Sequence, residues 1–131
     1  MGAKKIVKQF YELDLAKDDN AISYFHKNCK LHWNSSQGFK ILDYEGIEVM
    51  LQNIRKSFLS FKYRLSHLLE DGKTVTARYT LFVIPIENPD EELPLAHFIS
   101  IWEVKKGKLY QGYEISQLYD EDPASLKSFL K

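Results

Sequence analysis

Apolar and polar positions alternate along the chain in two rhythms, helical at the start and strand-like later. Ile6, Phe10 and Leu13 recur at i, i+4 and i+7, with Val7 and Tyr11 beside them, which predicts a helix over Lys4 to Ala16. Asp18, Asp19 and Asn20 break that pattern, and a short second helix is expected through Ala21, Ile22, Tyr24 and Phe25. Cys29 to Asn34 reads as a short strand closed by the turn-forming cluster Ser35-Ser36-Gln37-Gly38. Asp43 is then an expected N-cap, and Ile47, Met50, Leu51, Ile54 and Phe58 make one stripe of a long helix.

From Tyr63 the chain is rich in β-branched and aromatic residues. Tyr63 to Leu69 and Thr74 to Ile84 predict a hairpin about Asp71-Gly72, and Leu95 to Val104 and Leu109 to Leu118 a second about Lys106-Gly107. The acidic stretch Pro85 to Pro94 joins the two hairpins. Asp122-Pro123 marks the start of a last short helix carrying Leu126, Phe129 and Leu130. Helices first and antiparallel strands after predict an α+β architecture, with helices on one face of a curved sheet. No repeat, linker or low-complexity stretch divides residues 1–131, so a single domain is expected.

Composition narrows this reading. With 44% hydrophobic and 14% aromatic residues the chain can bury a real core and is not disordered. Eighteen Lys and Arg balance 18 Asp and Glu, which removes the electrostatic reason to expect a nucleic-acid partner. Apolar runs of only a few residues argue against a membrane span. Cys29 is the only cysteine, and Met1 to Phe10 has lysines without an apolar signal core, so a cytoplasmic protein is expected.

The faces of the strands add a partner. Centring the second hairpin on Lys106-Gly107 with regular alternation places His97, Ile99, Ile101 and Glu103 on one face with Tyr110, Gly112, Glu114, Ser116 and Leu118. Phe98, Ser100, Trp102 and Val104 then fall on the other with Leu109, Gln111, Tyr113 and Ile115. Neither face is cleanly polar, so both are expected to be partly buried. Helices cover one; the other is expected to meet a second copy in a homodimer, with aromatics such as Trp102 and Tyr113 suited to the interface.

Three stretches carry a family resemblance: Phe10-Tyr11-Glu12-Leu13 with Asp19 eight residues after Tyr11; Tyr44-Glu45-Gly46-Ile47 before the long helix; and Gly107-Lys108-Leu109 through Glu114-Ile115-Ser116-Gln117. Over Val7 to Asp120 the chain resembles the nuclear-transport-factor-2-like (NTF2-like) superfamily, in particular its SnoaL-like branch. In that branch's closing pattern Tyr113 stands for a Trp and Glu114 for an Asp, with Gln117 matching. The resemblance implies a cone-shaped α+β fold, N-terminal helices packed on a strongly curved, mainly antiparallel sheet, with a pocket at the open end and homodimers common. It does not fix a function.

Candidate chemistry centres on Glu114, a carboxylate in a strand between apolar neighbours, where burial would raise its pKa toward neutrality. In the cyclase branch the matching Asp is the acid/base residue. A structural ion pair is the alternative role. His97, on the same face in the register above, could be oriented by Glu114 as a base, or serve only in packing. Tyr11 matches an oxyanion-stabilising Tyr of the isomerase branch. That branch also wants a carboxylate where His32-Trp33-Asn34 stands and another near Ile99 and Ser100, and neither is present. Tyr11, His32, Trp33, Asn34 and Ile99 are therefore expected as pocket lining. His67 and Arg78 are further polar candidates, Arg78 for an anionic ligand or as partner to Glu114 or Glu103. The four histidines show no ligand spacing and Cys29 has no companion thiol, so neither metal nor cofactor is expected. The expected partners are a small apolar organic molecule and a second copy of the chain. A cofactor-independent isomerase, cyclase or hydratase and a non-catalytic association module both remain open.

Overall fold

The computed structural model describes residues 2–130. Helix α1 (Ala3–Tyr11) and a 3-10 turn (Ala21–Tyr24) precede strands β1 (Phe25–Ser35) and β2 (Gly38–Asp43). Helix α2 (Tyr44–Ser57) then leads into β3 (Phe58–Asp71), β4 (Thr74–Pro85), β5 (Leu93–Lys105) and β6 (Lys108–Leu118), and α3 (Pro123–Phe129) closes the chain. The strands form one sheet in the order β2-β1-β6-β5-β4-β3, antiparallel except for the β1–β6 pair. The fold is therefore α+β, with helices packed on a six-stranded, mainly antiparallel sheet.

The sheet is strongly curved. Helix α2, joined to β2 at its start and to β3 at its end, lies against β1, β2 and β3. Asp43 caps α2 by accepting from the Gly46 amide at 2.8 Å, and Ile47, Leu51 and Ile54 drive its inner face into the core. Helix α1 buries Ile6, Val7, Phe10 and Tyr11 against β3, β4 and β5. It stops at Tyr11, short of the expected Ala16, because Asp14 turns its carboxylate to other partners. Asp14 accepts from the amides of Ala16 and Phe61 and from the Ser60 hydroxyl, which ties the end of α1 to β3.

Four other details differ from the sequence reading. Gly38 to Asp43, unassigned there, is the edge strand β2, and Phe58 opens β3 rather than closing the α2 stripe. The first hairpin turns on Gly72-Lys73, with Asp71 opposite Thr74 and Gly72 at φ 62°. The second turns on Lys106-Gly107 as expected, both residues at positive φ.

The last difference matters most. In β6 a bulge skips Tyr110, so that Val104 pairs Leu109 while Glu103 pairs Gln111. One extra residue reverses the facing of everything after it. Trp102 meets Gly112, Ser100 meets Glu114 and Phe98 meets Ser116 on the inner face. Ile101 meets Tyr113, Ile99 meets Ile115 and His97 meets Gln117 on the outer face. A second bulge at Ser66 does the same in β3, turning Leu65 and Tyr63 onto the face of Tyr79. The expected pairing of His97 with Glu114 is thereby overturned. So is the placing of Trp102 beside Tyr113: Trp102 is buried inside and Tyr113 is exposed outside.

Candidate functional site

Between the helices and the inner face of the sheet lies a cavity of about 470 Å³. Its wall is mainly aromatic and aliphatic, including Phe10, Phe25, Phe61, Tyr63, Phe98 and Met50. That volume and wall suit a small organic molecule. Its polar groups converge on Glu114, which the β6 bulge delivers to this face.

The hydrogen bonds around Glu114 run in one direction. The Trp102 indole N–H, which can only donate, gives its proton to the Tyr11 hydroxyl oxygen at 3.0 Å. The Tyr11 hydroxyl therefore donates onward to the Tyr79 oxygen at 3.2 Å, and Tyr79 donates to Glu114 Oε1 at 2.9 Å. The Ser100 hydroxyl lies 2.8 Å from the same Oε1 and 2.6 Å from the Tyr79 oxygen. Glu114 Oε2 accepts no hydrogen bond among the described residues. One oxygen is thus held by the protein, and the other makes no hydrogen bond among the described residues. A proton on this carboxyl belongs on Oε2, since Oε1 is already an acceptor.

Electrostatics sharpen that arrangement. Burial raises the Glu114 pKa above its ordinary value, partly offset by the hydrogen bonds from Ser100 and Tyr79. Burial, then the nearby Glu114 charge, also raises Tyr11, Tyr63 and Tyr79, so all three stay protonated donors or packing groups at neutral pH. Such a site can hold a carboxyl whose proton is shared with a ligand, oriented by hydroxyls that do not themselves ionise.

Of the residues singled out from sequence, Glu114, Tyr11 and Trp33 line the cavity. The Trp33 indole donates to Ser116 Oγ at 2.9 Å, which fixes its ring in the wall. His32, Asn34, His97 and Ile99 are not in the lining. His32 stacks on Tyr113 at 4.8 Å, and its Nδ1 lies 3.0 Å from the Gly112 carbonyl, so that nitrogen carries the proton. Asn34 is exposed opposite Ile115, and Ile99 is exposed on the outer face. His97 is buried beneath α3, its ring stacked on Phe129 at 4.2 Å and its Nδ1 2.9 Å from Thr80 Oγ1. Arg78 is also outside: its guanidinium covers the other side of the α3 contact, 3.7 Å from the Phe129 ring, and donates to the Ser128 carbonyl. It partners neither Glu114 nor Glu103.

Sequence reasoning passed over Tyr79, Ser100 and Tyr63. Once Glu114 is on the inner face, Ser100 follows as its direct partner and Tyr79 lies within reach across β4. The missing signal was the bulge, for which no glycine or proline stands at Tyr110. Among the described residues no group of three or more His, Cys, Asp and Glu side chains is placed to hold a metal ion, and no helix is long and apolar enough to cross a membrane.

No protein-family profile matches the chain, and no curated protein sequence matches it. Solved structures do. A protein from Shewanella denitrificans, provisionally assigned as a SnoaL-like polyketide cyclase, superposes with a TM-score of 0.67 at 11% identity, covering 98% of this chain and 96% of that one. An LEH-like epoxide hydrolase from M. tuberculosis gives 0.69 at 15% identity, with 98% and 89% coverage. An NTF2-like protein of unknown function from Burkholderia pseudomallei gives 0.60 at 12% identity, with 100% and 99% coverage. The shared feature is the fold, the one the sequence resemblance implied. The three neighbours carry different descriptions, so the chemistry must be argued from the site.

Proposed function

We propose that this chain, which has the NTF2-like fold, binds a small, largely aromatic organic molecule in the cavity and moves a proton on it through Glu114. The observation that carries the reading is the divided carboxyl: Oε1 held by Tyr79 and Ser100, Oε2 without a partner among the described residues, in a wall that raises the pKa. A carboxyl tuned upward and held in one orientation suits general acid/base catalysis near neutral pH. The reaction class is a cofactor-independent isomerisation, cyclisation or hydration. The cyclase and epoxide hydrolase descriptions of the fold neighbours are compatible with proton transfer at such a site. His97 has no part in it, since it lies on the other side of the sheet.

The test uses a ketone with acidic C–H bonds beside an aromatic ring, such as 2-tetralone, in heavy water. Ionised Glu114 takes a proton from the carbon beside the carbonyl, leaving the enolate; the carboxyl proton exchanges with heavy water, and a deuteron returns from it to that carbon. Proton NMR should show exchange faster with the wild type than with Glu114→Gln, while both bind the ketone. Equal exchange with both variants rejects the catalytic reading, and absence of binding rejects the cavity reading.

The outer face favours self-association as a second property. Ile99, Ile101, Tyr113 and Ile115 are exposed there and directly paired across β5 and β6, which supports a two-fold dimer. The free thiol of Cys29 fits the reducing conditions of a cytoplasmic site of action.

A further inference from the structure

Resting on the cavity reading, the geometry points to a ligand of defined polarity: a flat aromatic of two or three fused rings, with a carboxylate held at the β1–β2 rim by Lys40 and a proton-donating group at the other end met by Glu114. Among the described residues lining the cavity Lys40 is the one cationic side chain and Glu114 the one carboxylate. They are not scattered. Lys40 pairs Trp33 across β2 and β1, Trp33 pairs Glu114 across β1 and β6, and Glu114 pairs Ser100 across β6 and β5. Cation, indole and acid therefore form one row across three neighbouring strands.

Neighbouring strands lie about 4.8 Å apart, so the backbones of Lys40 and Glu114 are separated by roughly 10 Å. A fused bicyclic ring with a substituent at each end spans that interval. The Lys40 ammonium rests over the Trp33 ring, 4.6 Å from its centre, and makes no ion pair among the described residues. The Trp33 ring is itself pinned by Ser116. The cation is thus parked on an aromatic surface at the rim, with its charge unspent, and an entering anion gains an interaction that a neutral ring does not. A cationic ring of the same size meets repulsion at the same point.

The experiment titrates the full chain with two probes, following quenching of tryptophan fluorescence. One is a naphthol; the other is the same naphthol with a carboxylate at the far end of its ring pair. The hydroxynaphthoate should bind the wild type roughly twofold to fivefold more tightly than the naphthol, as expected for one partly exposed charge pair. The preference should shrink as salt is added. Lys40→Gln should bring the two affinities together, Lys40→Arg should keep them apart, and Glu114→Gln should leave the carboxylate preference in place. Equal binding of both probes to the wild type, or a preference that survives in Lys40→Gln, overturns the inference and leaves the cavity reading standing. Failure of both probes to bind overturns both. Lys40 lies exposed on an edge strand, so its replacement leaves the folded state intact, which circular dichroism checks.

Discussion

Gly112 and Trp102 stand opposite each other across β6 and β5, so close that a β-carbon on Gly112 would lie 2.6 Å from the indole ring. It would also lie 2.9 Å from a methyl of Leu31. The missing side chain is what lets the Trp102 ring lie against the β6 backbone and donate to the Tyr11 hydroxyl, the first step of the hydrogen-bond chain ending at Glu114.

Gly112→Ala should therefore act twice. Overpacking a site bounded by an indole and a β-strand should cost about 1–3 kcal/mol, read from the shift in a urea unfolding midpoint. It should also move Trp102 off Tyr11, so that deuterium exchange into 2-tetralone falls while the variant is still folded. Exchange at the wild-type rate in a folded Gly112→Ala protein would show that the indole does not position the relay.

Glu114 makes stability depend on pH in a definite sense. Its folded pKa is raised above the ordinary 4.5, so the folded chain holds this proton more tightly than the unfolded chain. The stabilisation is complete below the ordinary value and is lost as pH rises through the folded value. Glu114→Gln keeps an acceptor for Tyr79 and Ser100 without the charge. It should gain stability relative to the wild type as pH is raised from acid to mildly alkaline conditions. Paired urea titrations across that range measure the difference, and a difference that stays flat with pH contradicts the raised pKa.

His97 works in the opposite sense and at the other face. Burial lowers its pKa below 6.5; Arg78 also lowers it, and Asp120 opposes the shift. Its Nε2 is buried with no partner among the described residues, while Nδ1 meets Thr80, and Phe129 and Tyr119 cover the ring. Protonation places a second N–H where nothing accepts it. The stability contributed by the neutral ring is complete above the ordinary value and is lost as pH falls through the folded value. Helix α3 buries no residue fully, so the opening should be local. Hydrogen exchange of amides 124–130, corrected for the intrinsic rate, should lose protection several-fold on acidification in the wild type. His97→Phe, which keeps a ring for Phe129 to stack on, should remove that dependence. Equal loss in both proteins would assign the opening to another group.

Periodicity was enough for the helices, the two hairpins and the fold class, because each rests on local pattern: the α2 stripe with its Asp43 cap, and Lys106-Gly107 at positive φ. It missed β2 because that edge strand is mostly exposed and has no buried face to imprint alternation on the sequence. Glu114 was identifiable as a carboxylate among apolar strand residues, but its surroundings were not. A bulge at Tyr110 costs one residue of register, leaves no composition signal, and exchanges the two faces of β6. Two partners of the resulting cluster, Tyr79 and Ser100, come from other strands, brought together only by the register of the folded sheet. The same slip separates Glu114 from His97 and Ile99, and Tyr113 from Trp102, although β5 itself alternates regularly.

That exchange also defines the surface on which the proposed self-association would rest. Tyr113 is 52% exposed and Ile115 60% exposed, and they pair with Ile101 and Ile99 on the neighbouring strand, so four large apolar side chains adjoin on the outer face. Helix α3 covers the same face farther along, over His97, and limits how far a partner can extend. A two-fold contact centred on Ile99 and Ile115 would set each isoleucine pair against its own copy, the self-complementary arrangement of a closed dimer. Two lysines there would bring four like charges together at the axis. The double variant Ile99→Lys/Ile115→Lys should sediment as a monomer at concentrations where the wild type sediments as a dimer. Its circular dichroism should be unchanged, because both side chains point away from the core. A wild type that remains monomeric at tens of micromolar, or a double variant that stays dimeric, would rule out this face as the contact.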